Sequence, residues 1–218
     1  MDILFNTITY MIKAVLFDWN WVIIDDLDAV ARANCDCIFA LWGEKVSAKT
    51  WFKEIQQDWH IFFVQKGVKK EDVKKVLPLM KNFYPKYIKY IKLISHITEV
   101  LDFLYKNKIK MGILSNIDRF SIESNIKKFG LQKYFEFIIS GEDVKKPKPD
   151  PEWLEKAADY FKVNPKSILY VDDMPTVFTA AKKIGMITVG FVSRISEDLS
   201  DADQKINDIR KIIDFVKK

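Results

Sequence analysis

The chain has 218 residues, 49% of them hydrophobic and 30% charged, with a formal net charge of +5. That much apolar material can bury a full core, in one large domain or in one carrying an inserted lobe, and it excludes a disordered tail protein. Many lysines are offset by nearly as many acids, so the surplus is weak evidence for nucleic acid, and no apolar run approaches the roughly 20 residues of a membrane span.

In chain order, MDILFNTITY lacks the basic start and small-residue cleavage site of a signal peptide. Ala14 to Phe17 is a short unbroken apolar run, as a strand buried on both faces requires, and it ends in Asp18. After Val22 to Ile24 the pattern turns helical. Asp25 and Asp26 suit a first turn, and Val30, Asn34, Cys37, Ile38 and Leu41 recur at helical spacing up to Gly43. Cys35 and Cys37 are the only cysteines. On a helix they point roughly 200° apart, a poor geometry for a bridge or a metal, so a reducing, cytoplasmic setting is expected.

Ser47 caps a segment with Trp51, Ile55, Trp59, Phe62 and Phe63 on its apolar side, ending at Gly67. A further helix starts near Lys70, with Val73, Val76, Leu77 and Met80 inward and Pro78 kinking it or shifting its start. Another covers Tyr84 to Leu93, where Lys86, Lys89 and Lys92 interleave with Tyr84, Tyr87 and Tyr90. A solvated lysine face over an aromatic one explains that pattern better than phosphate-backbone binding. Trp42, Trp51 and Trp59 are expected in the core of this lobe, and His60 has no ligand-type neighbours. Helices with no convincing strand between them argue for a helical lobe inserted in an α/β domain.

From Ile97 the βα alternation resumes. A helix with Val100, Leu101, Leu104 and Tyr105 on one face precedes the strand Met111 to Leu114, which ends in Ser115-Asn116. A helix from Ile117 stops at Gly130, and Phe135 to Ile139 is the next strand. The run KKPKPDP, 145–151, is too proline-rich to be other than an extended loop. A helix from Trp153 to Phe161 leads to the strand Ile168 to Val171, which ends in Asp172-Asp173. Then follow a helix from Phe178 to Ile184, a strand from Ile187 to Phe191 and an amphipathic helix from Ile206 to Val216.

Three strand ends thus deliver Asp18, Ser115 and Asp172-Asp173, and a stiff loop delivers lysines. In an open parallel sheet all of these lie at one edge, where ligands bind. A carboxylate nucleophile, a hydroxyl with the amide after it, an ammonium and a further carboxylate are the parts for phosphoryl transfer to Asp. Asp18, the carbonyl of Asn20 and Asp173 would suit Mg²⁺.

On these residues the chain resembles the haloacid dehalogenase superfamily, in the phosphatase-type branch with a helical cap after the first motif (phosphoglycolate phosphatase and beta-phosphoglucomutase-like). FDWNWVIIDD is similar to the first motif, GILSN to the second, KPDPEWLEKAADYF to the third and YVDDMPTVFTAAKKIGM to the fourth. The resemblance implies a Rossmann-like, doubly wound parallel sheet core from residues 1–24 and 95–218, with a helical-bundle cap over 25–94. It implies Asp18 as nucleophile, Ser115 and Asn116 as phosphate ligands, and Asp173 as the metal acid, with Mg²⁺ as cofactor. The third-motif lysine is Lys146 or Lys148, with Lys148 favoured by the Pro-Asp-Pro-Glu that follows it. Asp25 matches the acid at the cap hinge, a structural role. Asp172 stands where many members have Gly.

The first motif is degenerate. Asn20 replaces the acid/base Asp, Trp21 a flexible Gly and Val22 a hydroxyl residue, while Val177 stands where the fourth motif often has an acid. An amide cannot do proton transfer typically worth 10²–10⁴-fold, on the order of 3–5 kcal/mol in barrier. Three readings follow. The first is a Mg²⁺-dependent phosphatase for a small phosphorylated metabolite, slow unless the leaving group is good. The second is a catalytically impaired protein that binds a phosphorylated ligand or protein partner. The third is a haloacid dehalogenase-type hydrolase, for which Arg32 is the cap's one arginine to hold a carboxylate. No nucleic-acid or membrane partner is expected.

Overall fold

The computed structural model describes residues 11–55, 59–146, 148–193 and 198–217. The leader MDILFNTITY therefore lies outside the described residues. The chain forms two compact units: one runs up to Ile23 and resumes at Leu93, and the other is Ile24–Lys92.

In chain order the elements are β1 (Ala14–Phe17), β2 (Ile24–Asp25), α1 (Leu27–Ala40), α2 (Ala48–Glu54), α3 (Trp59–Gln65), α4 (Val76–Phe83), β3 (Lys92–Leu93), α5 (Ile97–Lys106), β4 (Lys110–Leu114), α6 (Arg119–Phe129), β5 (Phe137–Ile139), α7 (Glu152–Phe161), β6 (Ile168–Asp172), α8 (Phe178–Lys183), β7 (Ile187–Phe191), β8 (Gln204–Ile206) and α9 (Ile212–Val216). The first unit is built on a six-stranded sheet of order β5-β4-β1-β6-β7-β8, parallel throughout. Alternate residues of β1 point to opposite faces, and all four are fully buried, so both faces are covered. Ala14 and Leu16 pack with Trp153, Phe161, Tyr170 and Phe178. This is the doubly wound α/β core the sequence leads one to expect.

Strand β1 stands at the centre, where the strand order reverses, with Phe17 level with Ile113 of β4 and Val171 of β6. Two turns show the local chemistry at work. Asp118 caps α6 by accepting from Ser121 N at 2.9 Å, which is why that helix starts two residues later than its apolar pattern suggests. Gly130 ends it at φ +68°.

In the second unit α1 is buried along Leu27, Ala29, Ala31, Ala33, Cys35, Cys37 and Ile38, too many sides for long side chains, and alanine fits there. Burial pushes the two free thiols up, Cys35 to about 11 and Cys37 to about 12, with the charge of Asp36 adding to it. The segment Tyr84–Tyr90 is a 3₁₀ helix. Three residues per turn stack the repeat YPK-YIK-Y into rows. Tyr84 donates to Asp26 at 2.7 Å and Tyr87 to Asp36 at 2.8 Å, while Lys86 and Lys89 are exposed. Lys92 leaves this row for β3.

Several expectations need correction. The segment after Ser47 is two helices rather than one, since Ile55 is extended (φ −62°, ψ 134°). Trp42 is 94% exposed, outside the core. Its N–H donates to Phe39 O and that of Gly43 to Ile38 O, the double bond of a Schellman end, with Trp42 at the left-handed position (φ +63°) and Leu41 in the buried slot. Val73 and Val76 are buried as expected, but Leu77 is 67% exposed, because a 3₁₀ turn over Lys70–Lys75 precedes α4 and shifts the period. Tyr105 is likewise outside the buried face of α5, stacked edge-on against Tyr134. The terminal segment does not begin as a helix. Gln204–Ile206 joins the sheet edge as β8, after Asp203 accepts from Thr188 N and Oγ at 2.8 Å each.

Candidate active site

The carboxyl edge of the sheet gathers four buried ionisable side chains. Asp18 follows β1, and its N–H continues the ladder to Val171 O at 2.8 Å. Asp172 is the last residue of β6, and Asp173 comes next. One oxygen from each of these three acids lies within 4.8 Å of the others. Lys148 reaches in from the proline-rich loop. Its Nζ donates to Asp18 Oδ1 at 2.5 Å and to Asp172 Oδ2 at 2.9 Å, and lies 3.4 Å from Tyr170 Oη.

The loop is tied at several points. Asn116 Oδ1 accepts from Lys148 N at 3.0 Å, and Trp153 Nε1 donates to Lys146 O at 2.6 Å. Asn116 is itself held by a close approach, since a Cβ on Gly141 would stand 2.4 Å from its carbonyl oxygen. Lys146 is exposed and sits 3.6 Å from Asp150. Of the two candidate lysines, then, Lys148 is the one at Asp18.

Tyr170 was not singled out from sequence, and Asp172 was named there only as part of the acid doublet, without a role. Tyr170 and Asp172, two apart on β6, share a face. The Tyr170 hydroxyl donates to Asp172 Oδ2, and Met174 N donates to Asp172 Oδ1 at 2.9 Å. The acid doublet was the available signal, but a Gly-like position hid its meaning. Ser193, two residues past the end of β7, donates to Asp173 Oδ2 at 3.2 Å.

The remaining sequence candidates are placed as follows. Ser115 is buried after β4, its N–H donating to Ile139 O at 3.0 Å and its Oγ 3.5 Å from Ile117 N. Asn20 is half-buried in the turn after Asp18, which Ile23 N closes by donating to Trp19 O at 3.0 Å. In that turn Trp21 takes the left-handed conformation (φ +63°), at a cost of about 1–2 kcal/mol for a residue with a Cβ. Asp25 accepts from Leu27 N at 3.3 Å, a helix-entry contact. Val177 is buried in the core.

The electrostatics follow from burial. Asp18 is pushed up to about 7 by burial, with Lys148 opposing and Asp172 adding. Burial and the charges of Asp18 and Asp172 push Asp173 up to about 8. Burial also works against the Lys148 ammonium, but the carboxylates of Asp172 and Asp18 outweigh it and hold that group well above its ordinary range. Fully ionised, three carboxylates and one ammonium leave a charge of −2 (−3 + 1) in a buried cluster. An all-oxygen donor set with that deficit fits a hard divalent cation such as Mg²⁺.

Comparison with known proteins places the chain in a family. Residues 15–191 match the model of a family described as haloacid dehalogenase-like hydrolase. Validoxylamine A 7'-phosphate phosphatase from Streptomyces hygroscopicus subsp. limoneus is 28% identical over 115 residues, 52% of this chain and 54% of that one, so the match spans about half of each. Phosphoglycolate phosphatase from Salmonella typhi is 24% identical over 208 residues, 82% of this chain and 81% of the relative. Among solved structures, CbbY from Rhodobacter sphaeroides in complex with phosphate shares the fold at a TM-score of 0.74 and 17% identity, over 95% of this chain and 100% of that one.

Proposed function

This chain belongs to the haloacid dehalogenase-like hydrolases, and within that family we propose that it is a Mg²⁺-dependent phosphatase of a small phosphorylated metabolite. The observation that carries the reading is the buried cluster itself, in which Lys148 lies against Asp18 and two further acids stand beside it. Relatives named as phosphatases of small phosphorylated compounds support it.

In this reading an Asp18 oxygen attacks phosphorus, the bond to the leaving oxygen breaks, and water then hydrolyses the aspartyl phosphate. Lys148 favours the ionised form of Asp18 against burial and orients it, and its charge stabilises the phosphoryl oxygens as negative charge develops there. The Ser115 hydroxyl and the Asn116 amide bind the remaining oxygens. Asp18, Asp173 and the Asn20 carbonyl would hold Mg²⁺, with Asp172 beside them balancing Lys148. When bound, the ion neutralises carboxylate and phosphoryl charge. A reducing, cytoplasmic setting is part of the proposal, because both thiols are free; no helix among the described residues is long and apolar enough to cross a membrane.

Asn20 favours a second reading, a protein that binds a phosphorylated ligand without turning it over, because its amide cannot exchange a proton with substrate or water. The dehalogenase reading has less support. Arg32 would have to hold the substrate carboxylate, and its guanidinium lies 4.1 Å over the Tyr90 ring. The test is hydrolysis of p-nitrophenyl phosphate by the full chain, in Mg²⁺ and in EDTA, beside Asp18→Asn. Mg²⁺-dependent turnover that disappears in Asp18→Asn supports the phosphatase. No turnover in wild type, with turnover created by Asn20→Asp, supports the binding protein. Metal-independent halide release from a 2-haloacid would support the dehalogenase.

A further inference from the structure

The donors around Asp18 narrow the substrates that the site can use. When an alcohol leaves phosphorus, negative charge develops on its oxygen, and a positioned acid that protonates this oxygen is typically worth 10²–10⁴-fold. Among the described residues, each side-chain donor placed on Asp18 or its companion carboxylates has another task. Lys148 gives its protons to Asp18 Oδ1 and Asp172 Oδ2, and with its side chain 3% exposed it supplies fixed positive charge. The Tyr170 hydroxyl goes to Asp172 and the Ser193 hydroxyl to Asp173. Trp19 contributes a backbone N–H, which cannot be discharged. Two residues beyond Asp18 stands Asn20, whose carboxamide neither gives nor takes a proton in neutral water. With Asp18 and Asp173 committed to holding Mg²⁺, no described side chain in contact with Asp18 is left to give the leaving oxygen a proton.

Resting on the reading of Asp18 as phosphoryl acceptor, we propose that the preferred substrates are acyl phosphates, the mixed anhydrides of phosphoric and carboxylic acids, and that the aspartyl phosphate accumulates. The first step then needs no proton. An Asp18 carboxylate oxygen forms a bond to phosphorus as the bond from phosphorus to the acyl oxygen breaks. The electron pair of that bond stays on the acyl oxygen, which departs as a free carboxylate. One dianionic mixed anhydride becomes another, and the bond broken is of the same kind as the bond formed, so the step is close to energetic balance. An alkyl phosphate would instead have to expel an alkoxide, a far stronger base than a carboxylate whose acid titrates near 4. In the second step, water attacks phosphorus, the Asp18 carboxylate leaves with its electron pair, and the proton of the water passes to solvent. With no base to take that proton among the described residues in contact with Asp18, the second step is the slower one and the phosphorylated chain builds up.

The test uses the full chain with Mg²⁺ and three probes: acetyl phosphate, a series of substituted phenyl phosphates, and glycerol 3-phosphate. We expect kcat/KM for acetyl phosphate to exceed that for glycerol 3-phosphate by at least about 10²-fold, the lower bound of what a general acid contributes. The phenyl series should slow steeply as the leaving phenol becomes more basic. This needs no variant, so the test survives if one misfolds. Acid-quenched wild type should carry a phosphate adduct by intact mass, absent from Asp18→Asn. In Asn20→Asp, glycerol 3-phosphate should gain about 10²–10⁴-fold relative to acetyl phosphate. A flat phenyl series, with glycerol 3-phosphate within tenfold of acetyl phosphate, overturns the substrate assignment and leaves the phosphatase reading standing. No adduct and no turnover with any donor, in wild type and Asn20→Asp alike, overturns both.

Discussion

Lys148→Met is the substitution that tests the cluster most directly. It keeps most of the side-chain volume and removes the one positive charge between Asp18 Oδ1 at 2.5 Å and Asp172 Oδ2 at 2.9 Å. At an effective dielectric of about 20, each contact is worth about 6 kcal/mol of gross attraction. The cost of desolvating the ammonium offsets much of this, and breaking a buried pair by removing one partner typically costs about 3–5 kcal/mol. For a chain of this length that corresponds to a fall in Tm of roughly 6–20 °C. The measurement is thermal and urea unfolding in EDTA at pH 7.5 and at pH 5. The loss should shrink at pH 5, where the orphaned carboxylates take up protons, and the double variant with Asp18→Asn should lose less than the sum of the two singles. A Lys148→Met chain within 1 kcal/mol of wild type at pH 7.5, or one destabilised equally at both pH values, would refute the account of the cluster.

Other predictions concern protons, a helix end and a close approach. Asp18 and Asp173 sit at about 7 and about 8 in the folded chain against an ordinary 3.8, so the native state holds protons that the unfolded chain has released. Their contribution is present at low pH and is lost as pH rises toward 8; in EDTA, Tm should fall between pH 5 and pH 8. Mg²⁺ should restore it at pH 8, and Asp173→Asn should flatten the slope; an unchanged slope in that variant contradicts the assignment. Trp42 is 94% exposed at a left-handed helix end, so Trp42→Gly loses little packing and relieves backbone strain. A gain of about 1 kcal/mol in urea unfolding is expected. Gly141→Ala places a methyl 2.4 Å from the Asn116 carbonyl, whose side chain holds Lys148 N. It should cost about 1–3 kcal/mol by the same assay and weaken inorganic phosphate binding measured by calorimetry, whereas unchanged binding would separate Asn116 from the site.

The elements with strong local signals were legible from residues alone. A buried parallel strand needs a continuous apolar run, so Ala14 to Phe17, Met111 to Leu114 and Ile168 to Val171 announced themselves, and each ended in a polar residue. Parallel pairing carries those ends to one edge, which is why Asp18, Ser115 and Asp173 could be named as site candidates before any pairing was known. Periodicity was a poorer guide where burial depended on a neighbour outside the segment. Leu77 has an inward spacing and points outward because of the 3₁₀ turn before it, and Gln204–Ile206 becomes a strand because β7 has a free edge to offer.

The choice between Lys146 and Lys148 shows the limit most clearly. Both stand in one run of lysines and prolines, and Lys148 was favoured only by the family's register in the Pro-Asp-Pro-Glu after it, because no local physical signal separates an exposed ammonium from a buried one. Lys148 meets a carboxylate 130 positions away because Asn116 and Trp153 anchor its loop across the sheet edge. Asp172 is the same case. As a letter it was an extra acid beside Asp173; in space it is the fully buried counter-charge that Tyr170 and Lys148 share. A residue's own neighbours along the chain dictate strands, caps and turns, and here they also dictated which edge of the sheet would gather the candidate residues. Which charges balance which depends on distances across the fold, and Coulomb energy in a buried cluster changes too steeply with those distances for composition or spacing to foretell.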